Sequence, residues 1–297
     1  MPGPMLTAAM PLLFVVLWST GFIGGKLGLP YAEPLTFLTL RYALVLALML
    51  PLVWIMSAPW PRNARQFVHI GVSGLLVHGL YLGGVFTAIG AGLPAGVTAL
   101  VVGMQPLLTA LGAGWLLGER VVGRQWVGLA LGFGGVALVV IGQGSAAGFD
   151  APLAAMLIPA LFALAGITAG TLYQKRFCPS FDLRTGAVIQ FIPTLLVTAL
   201  AAWATETMRV DWSGEFIFAL GWLVVVLSLG AISLLNLLIR SGGAVNVASL
   251  FYLTPPTTAV MAWLLFDERL APLALAGMAV AVTGVWLARD GRRSRRP

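Results

Sequence analysis

Charged side chains are scarce in this 297-residue chain. They make up 9% of it, against about 25% in an ordinary soluble domain. Seventeen basic and ten acidic residues cannot cover the surface of a water-soluble globule of this size. A soluble enzyme, a disordered tail and a nucleic-acid-binding domain are excluded on that ground. Cysteine occurs once, as Cys178, which excludes an internal disulfide framework and a cysteine-based metal cluster. Two histidines, His69 and His78, with one cysteine do not make a zinc site. The phosphate-binding pattern G-x-x-x-x-G-K-[ST] is missing, so ATP hydrolysis by such a loop is excluded. Neither a cofactor nor a metal is expected. Asp and Glu are absent from the middle of every long apolar run, which leaves no carboxylate relay for protons.

Apolar sequence is what the chain has in abundance: 59% hydrophobic residues and a mean hydropathy of +0.96. A membrane-spanning helix needs roughly 20 mostly apolar residues. Stretches free of Asp, Glu, Lys and Arg cover 1–25, 42–61, 66–118, 125–149, 151–174, 185–205, 216–239, 241–266 and 270–288. The third contains Gly90-Ala91-Gly92-Leu93-Pro94, which reads as a turn and divides it in two. Ten spans are therefore predicted, over 5–25, 35–56, 67–89, 94–117, 125–142, 152–174, 185–204, 215–238, 244–265 and 270–288. A transmembrane β-barrel would show alternating segments of about ten residues instead of solid runs. The first run lacks a basic start and a clear small-residue cleavage site, so it reads as a span and not as a removable signal.

The loops alternate between two sides. On the side of the N-terminus fall Arg62, Arg65, Arg120, Arg124, Lys175, Arg176, Arg184, Arg240, Arg289, Arg292, Arg293, Arg295 and Arg296. The other side has only Lys26, Arg209 and Arg269, and Arg41 lies within the second span. This bias predicts a multi-pass protein of the inner (plasma) membrane with both termini in the cytoplasm. It accounts for the net charge of +7 without an acidic partner. The basic tail 292–296 reads as a topology determinant touching anionic lipid, not as a nucleic-acid patch.

Residues 93–138 and 242–287 match at an offset of 149. Identical pairs include Pro106/Pro255, Thr109/Thr258, Glu119/Glu268, Arg120/Arg269, Gly128/Gly277 and Gly135/Gly284. A weaker match at an offset of 148 pairs Pro11 with Pro159 and Phe14 with Phe162. Spans 1–5 thus correspond to spans 6–10. Five is odd, so the copies insert in opposite directions. The expected organisation is a first repeat over 1–146, an inverted second repeat over 147–288 and a basic cytoplasmic tail over 289–297. Inverted repeats are a signature of transporters, whose halves build one site near the midplane.

Proline, a glutamate with a basic neighbour, and two glycines stand at Pro106, Glu119, Gly128 and Gly135, and again at Pro255, Glu268, Gly277 and Gly284. This spacing resembles the EamA family of the drug/metabolite transporter superfamily. Trp18, Gly21 and Arg41 look like that family's first-half pattern. The second half departs from it, with Gly166 opposite Trp18 and Gln190 opposite Arg41. Within the family the chain looks most like the YddG-type exporters of aromatic and other amino acids. The resemblance implies that spans 1, 3, 4, 6, 8 and 9 surround a central cavity, with 5 and 10 packed outside.

Polar groups inside spans are the candidates for substrate contact, because each is costly in hydrocarbon. Arg41 reads as a residue near the outer end of its span, reaching the interface or pairing with Glu33; the alternative is a role in binding an anionic group. His78 lies deep in the third span and Tyr81 shares its face, three residues on. Each is either a packed interior residue or part of a cavity wall. Trp18 and Trp222 lie inside their spans, and Trp18 is the better aromatic wall. Trp54, Trp60, Trp115, Trp126, Trp203, Trp263 and Trp286 lie near span ends and read as interfacial belt. Gln105, Asn236, Asn246, Tyr252 and Thr254 are neutral hydrogen-bonding groups, some of them ordinary interhelical ties. Pro106, Pro255 and Pro256 interrupt the fourth and ninth spans and are candidate hinges.

Gly71-Val72-Ser73-Gly74 resembles the serine motif of rhomboid-type intramembrane proteases. On one helix, however, Ser73 and His78 diverge by about 140° around the axis. His69 stands one turn before Ser73, whereas such proteases bring the histidine from another helix. A protease is set aside. The expected fold is an all-α membrane protein of ten transmembrane helices. The expected function is export of small metabolites, amino acids above all, by alternating access and without ion coupling, unless His78 supplies it. The alternatives are a transporter of a drug-like cation or a nucleotide sugar, or a non-transporting scaffold or pore. The expected partners are a small-molecule substrate and the lipid bilayer, with no nucleic acid; a monomer and a homodimer both remain open.

Overall fold

A computed structural model describes residues 4–117, 123–147, 152–178, 181–231, 234 and 251–288. The described residues form helices and connecting loops without a strand; Ala32 and Val210 make one isolated β-bridge. The helices are α1 (Pro4–Gly28), α2 (Pro34–Ile55), α3 (Ala64–Gly90), α4 (Ala95–Val102), α5 (Gln105–Leu117), α6 (Gly123–Ala147), α7 (Leu153–Phe177), α8 (Leu183–Thr205), α9 (Gly214–Ala231), α10 (Thr254–Phe266) and α11 (Pro272–Ala288). Six stretches are long and apolar enough to cross a membrane: Met10–Gly28, Pro34–Ile55, Ala64–Gly90, Ala154–Phe177, Leu183–Thr205 and Gly214–Ala231. Shorter apolar helical stretches cover Ala95–Thr109, Trp126–Val139 and Pro272–Gly284.

Local sequence sets the helix ends. α2 opens with Pro34, whose fixed φ and missing N–H suit a first helical position. The freed N–H groups of Leu35 and Thr36 donate to Glu206 Oε1 and Oε2 at 2.8 and 2.7 Å. A carboxylate from the end of α8 thus caps α2 and meets the positive end of its dipole. α8 opens on Asp182, which accepts from Arg184 N at 2.9 Å. α9 opens on Ser213, whose Oγ accepts from Phe216 N at 3.1 Å.

Lipid tails are as apolar as leucine, so helix association relies on close backbone approach. Glycines provide it here. A Cβ added at Gly84 would stand 2.4 Å from Pro159 O of α7, and one at Gly74 would stand 2.6 Å from Gln190 Cα of α8. α3 is thereby held between α7 and α8. α6 and α11 meet at Gly128, Gly132, Gly135, Gly277 and Gly284. They pack against each other and supply no side chain to the cavity described below. The outward faces carry Trp54, Trp203, Leu196 and Leu264, all well exposed, as a lipid-facing surface requires.

Two helices depart from α geometry at matching places. α3 is π-helical over Leu75–Leu80, and α9 is π-helical over Trp222–Ala231. The repeat offset of 148 carries Leu75 onto Leu223, inside the second π segment. Such widened turns leave carbonyls off the normal ladder and recur at functional sites. Side-chain hydroxyls take up two of these carbonyls. Tyr42 Oη donates to His78 O at 2.7 Å, and Ser228 Oγ donates to Leu223 O at 3.0 Å.

Candidate functional site

The two π segments face one cavity. Its wall comprises Trp18, Gly21 and Phe22 of α1, Arg41 of α2, Val77, His78, Tyr81, Leu82, Val85 and Phe86 of α3, Ile167 of α7 and Leu227 of α9. Its volume is about 90 Å³, smaller than the roughly 300–1,000 Å³ of sites that take drug-sized ligands. Both repeats therefore contribute. α1 reaches α9 because Gly21 and Gly24 leave room for Leu227 and Leu223.

Aromatic packing fixes the walls. Trp18 lies 5.4 Å from Phe14 and 5.2 Å from Phe251, the latter edge-on. His78 stacks on Phe191 of α8 with ring centroids 4.4 Å apart. Phe37 meets Phe86 at 5.3 Å and Phe216 at 5.1 Å, joining α2, α3 and α9. Such pairs contribute about 0.5–1.5 kcal/mol beyond area burial. Trp222 lines no part of this cavity; its Nε1 donates to Thr20 Oγ1 at 2.9 Å.

Arg41 departs from its expected place. It is 4% exposed, and its Nη2 donates to Ser228 Oγ at 3.2 Å. It neither reaches an interface nor pairs with Glu33. The helix begins at Pro34, so Arg41 stands about 10 Å along the axis at 1.5 Å per residue. Glu33 is taken elsewhere: its Oε2 accepts from Thr207 N at 2.7 Å and from Thr207 Oγ1 at 2.6 Å. Those two bonds hold the Glu33 carboxyl below the usual carboxylate range. Sequence offered one clue to this depth: Arg41 lies eight residues past Glu33 with Tyr42 beside it.

Of the other expected site residues, Trp18, His78 and Tyr81 are brought together on the cavity wall. Gln105 is elsewhere, donating to Thr109 Oγ1 at 3.3 Å and to Thr171 Oγ1 at 3.2 Å, which ties α5 to α7. Asn236 and Asn246 lie outside the described residues, as does the Tyr252 side chain. Among the described residues, the fourth and ninth spans supply none of this wall, and the second span, through Arg41, does.

The fourth span is broken at Gly103 and Met104, between α4 and α5. Pro106 is the second residue of α5, and Pro255 and Pro256 stand in the first turn of α10 after the 3₁₀ turn Phe251–Leu253. The prolines therefore open helical segments, where a missing N–H costs nothing. The two breaks meet: a Cβ at Gly103 would stand 3.0 Å from Pro255 Cγ.

The loops at one end of the helices are tied together. Lys26 pairs with Glu268 and lies over the Phe266 ring at 5.0 Å. Tyr31 donates to Glu215, which raises the phenol's pKa. Asp211 N donates to Tyr31 O at 2.8 Å. No protease dyad forms: Ser73 Oγ donates to Ile70 O at 2.7 Å and accepts from Gln190 Nε2 at 3.0 Å, while His69 Nδ1 pairs with Tyr173 Oη at 2.7 Å.

A cavity shared by two glycine-packed repeats of apolar helices defines a multi-pass membrane transporter. The model of the EamA-like transporter family matches residues 5–141 and 154–289. The chain belongs to that family, present in two copies, and is a transporter and not an enzyme. An uncharacterized transporter of Bacillus subtilis, YvbV, is 30% identical over 95% of this chain and 90% of its own. A probable amino-acid metabolite efflux pump of Escherichia coli is 29% identical, covering 97% and 96% of the two chains. A probable terminal-alkyne amino-acid exporter of Streptantibioticus cattleyicolor is 28% identical over 65% of this chain and 64% of its own. A solved structure shares the fold with a TM-score of 0.63 over 94% of this chain and 96% of its own, at 18% identity.

Proposed function

We propose that the chain exports small metabolites, amino acids above all, by alternating access between two inverted repeats. One observation carries this reading: Trp18, Arg41 and His78 of the first repeat share a cavity with Ile167 and Leu227 of the second. The repeats run over 1–146 and 147–288, with ten transmembrane helices, both termini in the cytoplasm of the inner membrane, and a basic tail over 289–297. The reciprocal glycine contacts of α6 and α11 support the two-fold relation. The names of the relatives in Escherichia coli and Streptantibioticus cattleyicolor support amino acids as the substrate class.

Trp18, His78 and Tyr81 contact substrate, and the breaks at Pro106 and at Pro255-Pro256 bend as the cavity changes sides. Transport is facilitative, since the chain places no carboxylate in the middle of any span. Counterflow in proteoliposomes tests the reading with a panel of amino acids, sugars and quaternary amines. Saturable exchange of amino acids, unchanged when the pH gradient is collapsed, is expected. Failure of every amino acid to exchange overturns the substrate class. Uphill transport driven by an imposed pH gradient overturns the facilitative mechanism.

A further inference from the structure

Arg41 is a buried cation without a buried anion among the described residues. Ser228 Oγ is its one acceptor among the described residues, and Nε is buried with no acceptor at all. The described acidic residues, Glu33, Asp182, Glu206, Asp211, Glu215, Asp267 and Glu268, stand at helix ends or in loops, so among the described residues no carboxylate stands at its depth. A guanidinium stays charged at any physiological pH. Burial of an unpaired charge is costly, and a single neutral hydroxyl does not offset it. A residue serving only to tie α2 to α9 would need no charge. Intramembrane cations kept in this way mark substrate or ion sites.

We propose that Arg41 anchors the carboxylate of the substrate, and that the cavity selects small monocarboxylates carrying an apolar or aromatic group. The inference rests on the reading of this cavity as the transport site. A planar guanidinium fork matches a carboxylate in two parallel hydrogen bonds. The incoming anion supplies the charge that the protein omits. Trp18, Phe22, Tyr81 and Phe86 offer the apolar contact. Among the described residues the wall offers no carboxylate to a substrate ammonium, so the amino group is dispensable. N-acylated amino acids and 2-oxo acids therefore bind as well as amino acids, and amines lacking a carboxylate do not.

The test is binding to the purified protein of phenylalanine, N-acetylphenylalanine, phenylalaninamide and phenethylamine. The two carboxylates are expected to bind at least about tenfold tighter than the amide and the amine, the scale of one charge-assisted hydrogen bond. Arg41→Gln should shrink that ratio to within about threefold. Arg41→Lys should keep part of it, and Ser228→Ala should keep it whole. Equal binding of phenylalanine and its amide to the wild type overturns the proposal while leaving amino-acid export intact. Binding of N-acetylphenylalanine without phenylalanine upholds Arg41 and overturns the amino-acid reading. Binding of none of the four overturns both. Should Arg41→Gln fail to fold, the acid-to-amide ratio of the wild type still decides.

Discussion

Gly135 of α6 and Gly277 of α11 lie so close that a Cβ on Gly277 would stand 2.6 Å from the Gly135 carbonyl oxygen. The same holds one repeat apart, where a Cβ on Gly284 would stand 2.6 Å from Gly128 O. The offset of 149 carries Gly128 onto Gly277 and Gly135 onto Gly284, so the repeat exchanges the two contacts. In an interface between equivalent elements, residue i meets j and j meets i. Gly135→Ala should therefore lower thermal stability in detergent by about 1–3 kcal/mol, the cost of overpacking. Gly134 has nothing within 4 Å of its Cβ position, and Gly134→Ala should stay within about 0.5 kcal/mol. Equal effects of the two, followed by size-exclusion thermostability, would remove the glycine contacts from the account.

Glu206 accepts from Leu35 N, Thr36 N and Thr36 Oγ1. Glu206→Ala should cost about 0.5–2 kcal/mol, as loss of a helix cap does. Amide exchange at Leu35 and Thr36 should accelerate in the variant. Unchanged protection there would mean that another group caps α2.

Lys26 and Glu268 tie the end of α1 to the loop before α11. Part-exposed pairs contribute about 0–1 kcal/mol, so Glu268→Gln should raise the population open at that end by up to about fivefold. A cysteine at Leu227, on the cavity wall, reports it through labelling by an impermeant maleimide; native Cys178 is buried and contributes little background. Swapping the charges, Lys26→Glu with Glu268→Lys, should return labelling toward the wild-type rate. Identical rates in all three proteins would deny the pair a gating role.

Asp182 is held down to about 2, first by the Arg184 side chain and then by the N–H groups of Arg184 and Thr185. An unfolded aspartate titrates near 3.9. A depressed carboxyl contributes stability above that value and loses it as pH falls through the folded one. The melting-temperature gap between wild type and Asp182→Asn should therefore be full at pH 5 and shrink toward pH 2. A gap that does not change with pH would show that the charge of Asp182 is irrelevant to α8.

The helices and the repeat were legible because both rest on composition and spacing, which lipid and close packing constrain directly. The glycines at 128, 135, 277 and 284 were legible as repeat matches, but not as the contact that α6 and α11 make with them. Trp18, His78 and Tyr81 were legible as rare polar or aromatic groups within spans. Arg41 was misjudged because its partner, Ser228, lies 187 residues away, and a lone serine in a span carries no signal. The π segments Leu75–Leu80 and Trp222–Ala231 were not legible either. In α3 the carbonyl of His78 is taken by Tyr42 of another helix, which leaves no mark on the sequence of α3; in α9 the acceptor Leu223 O meets Ser228 of the same helix.

The most direct test of the cavity as the substrate path is counterflow of labelled phenylalanine through proteoliposomes with Trp18 and His78 altered in turn. The account predicts saturable exchange by the wild type, loss of most of it in Trp18→Ala and His78→Ala, and its retention in Trp18→Phe. Wild-type exchange in both alanine variants, purified as monodisperse protein, would contradict it.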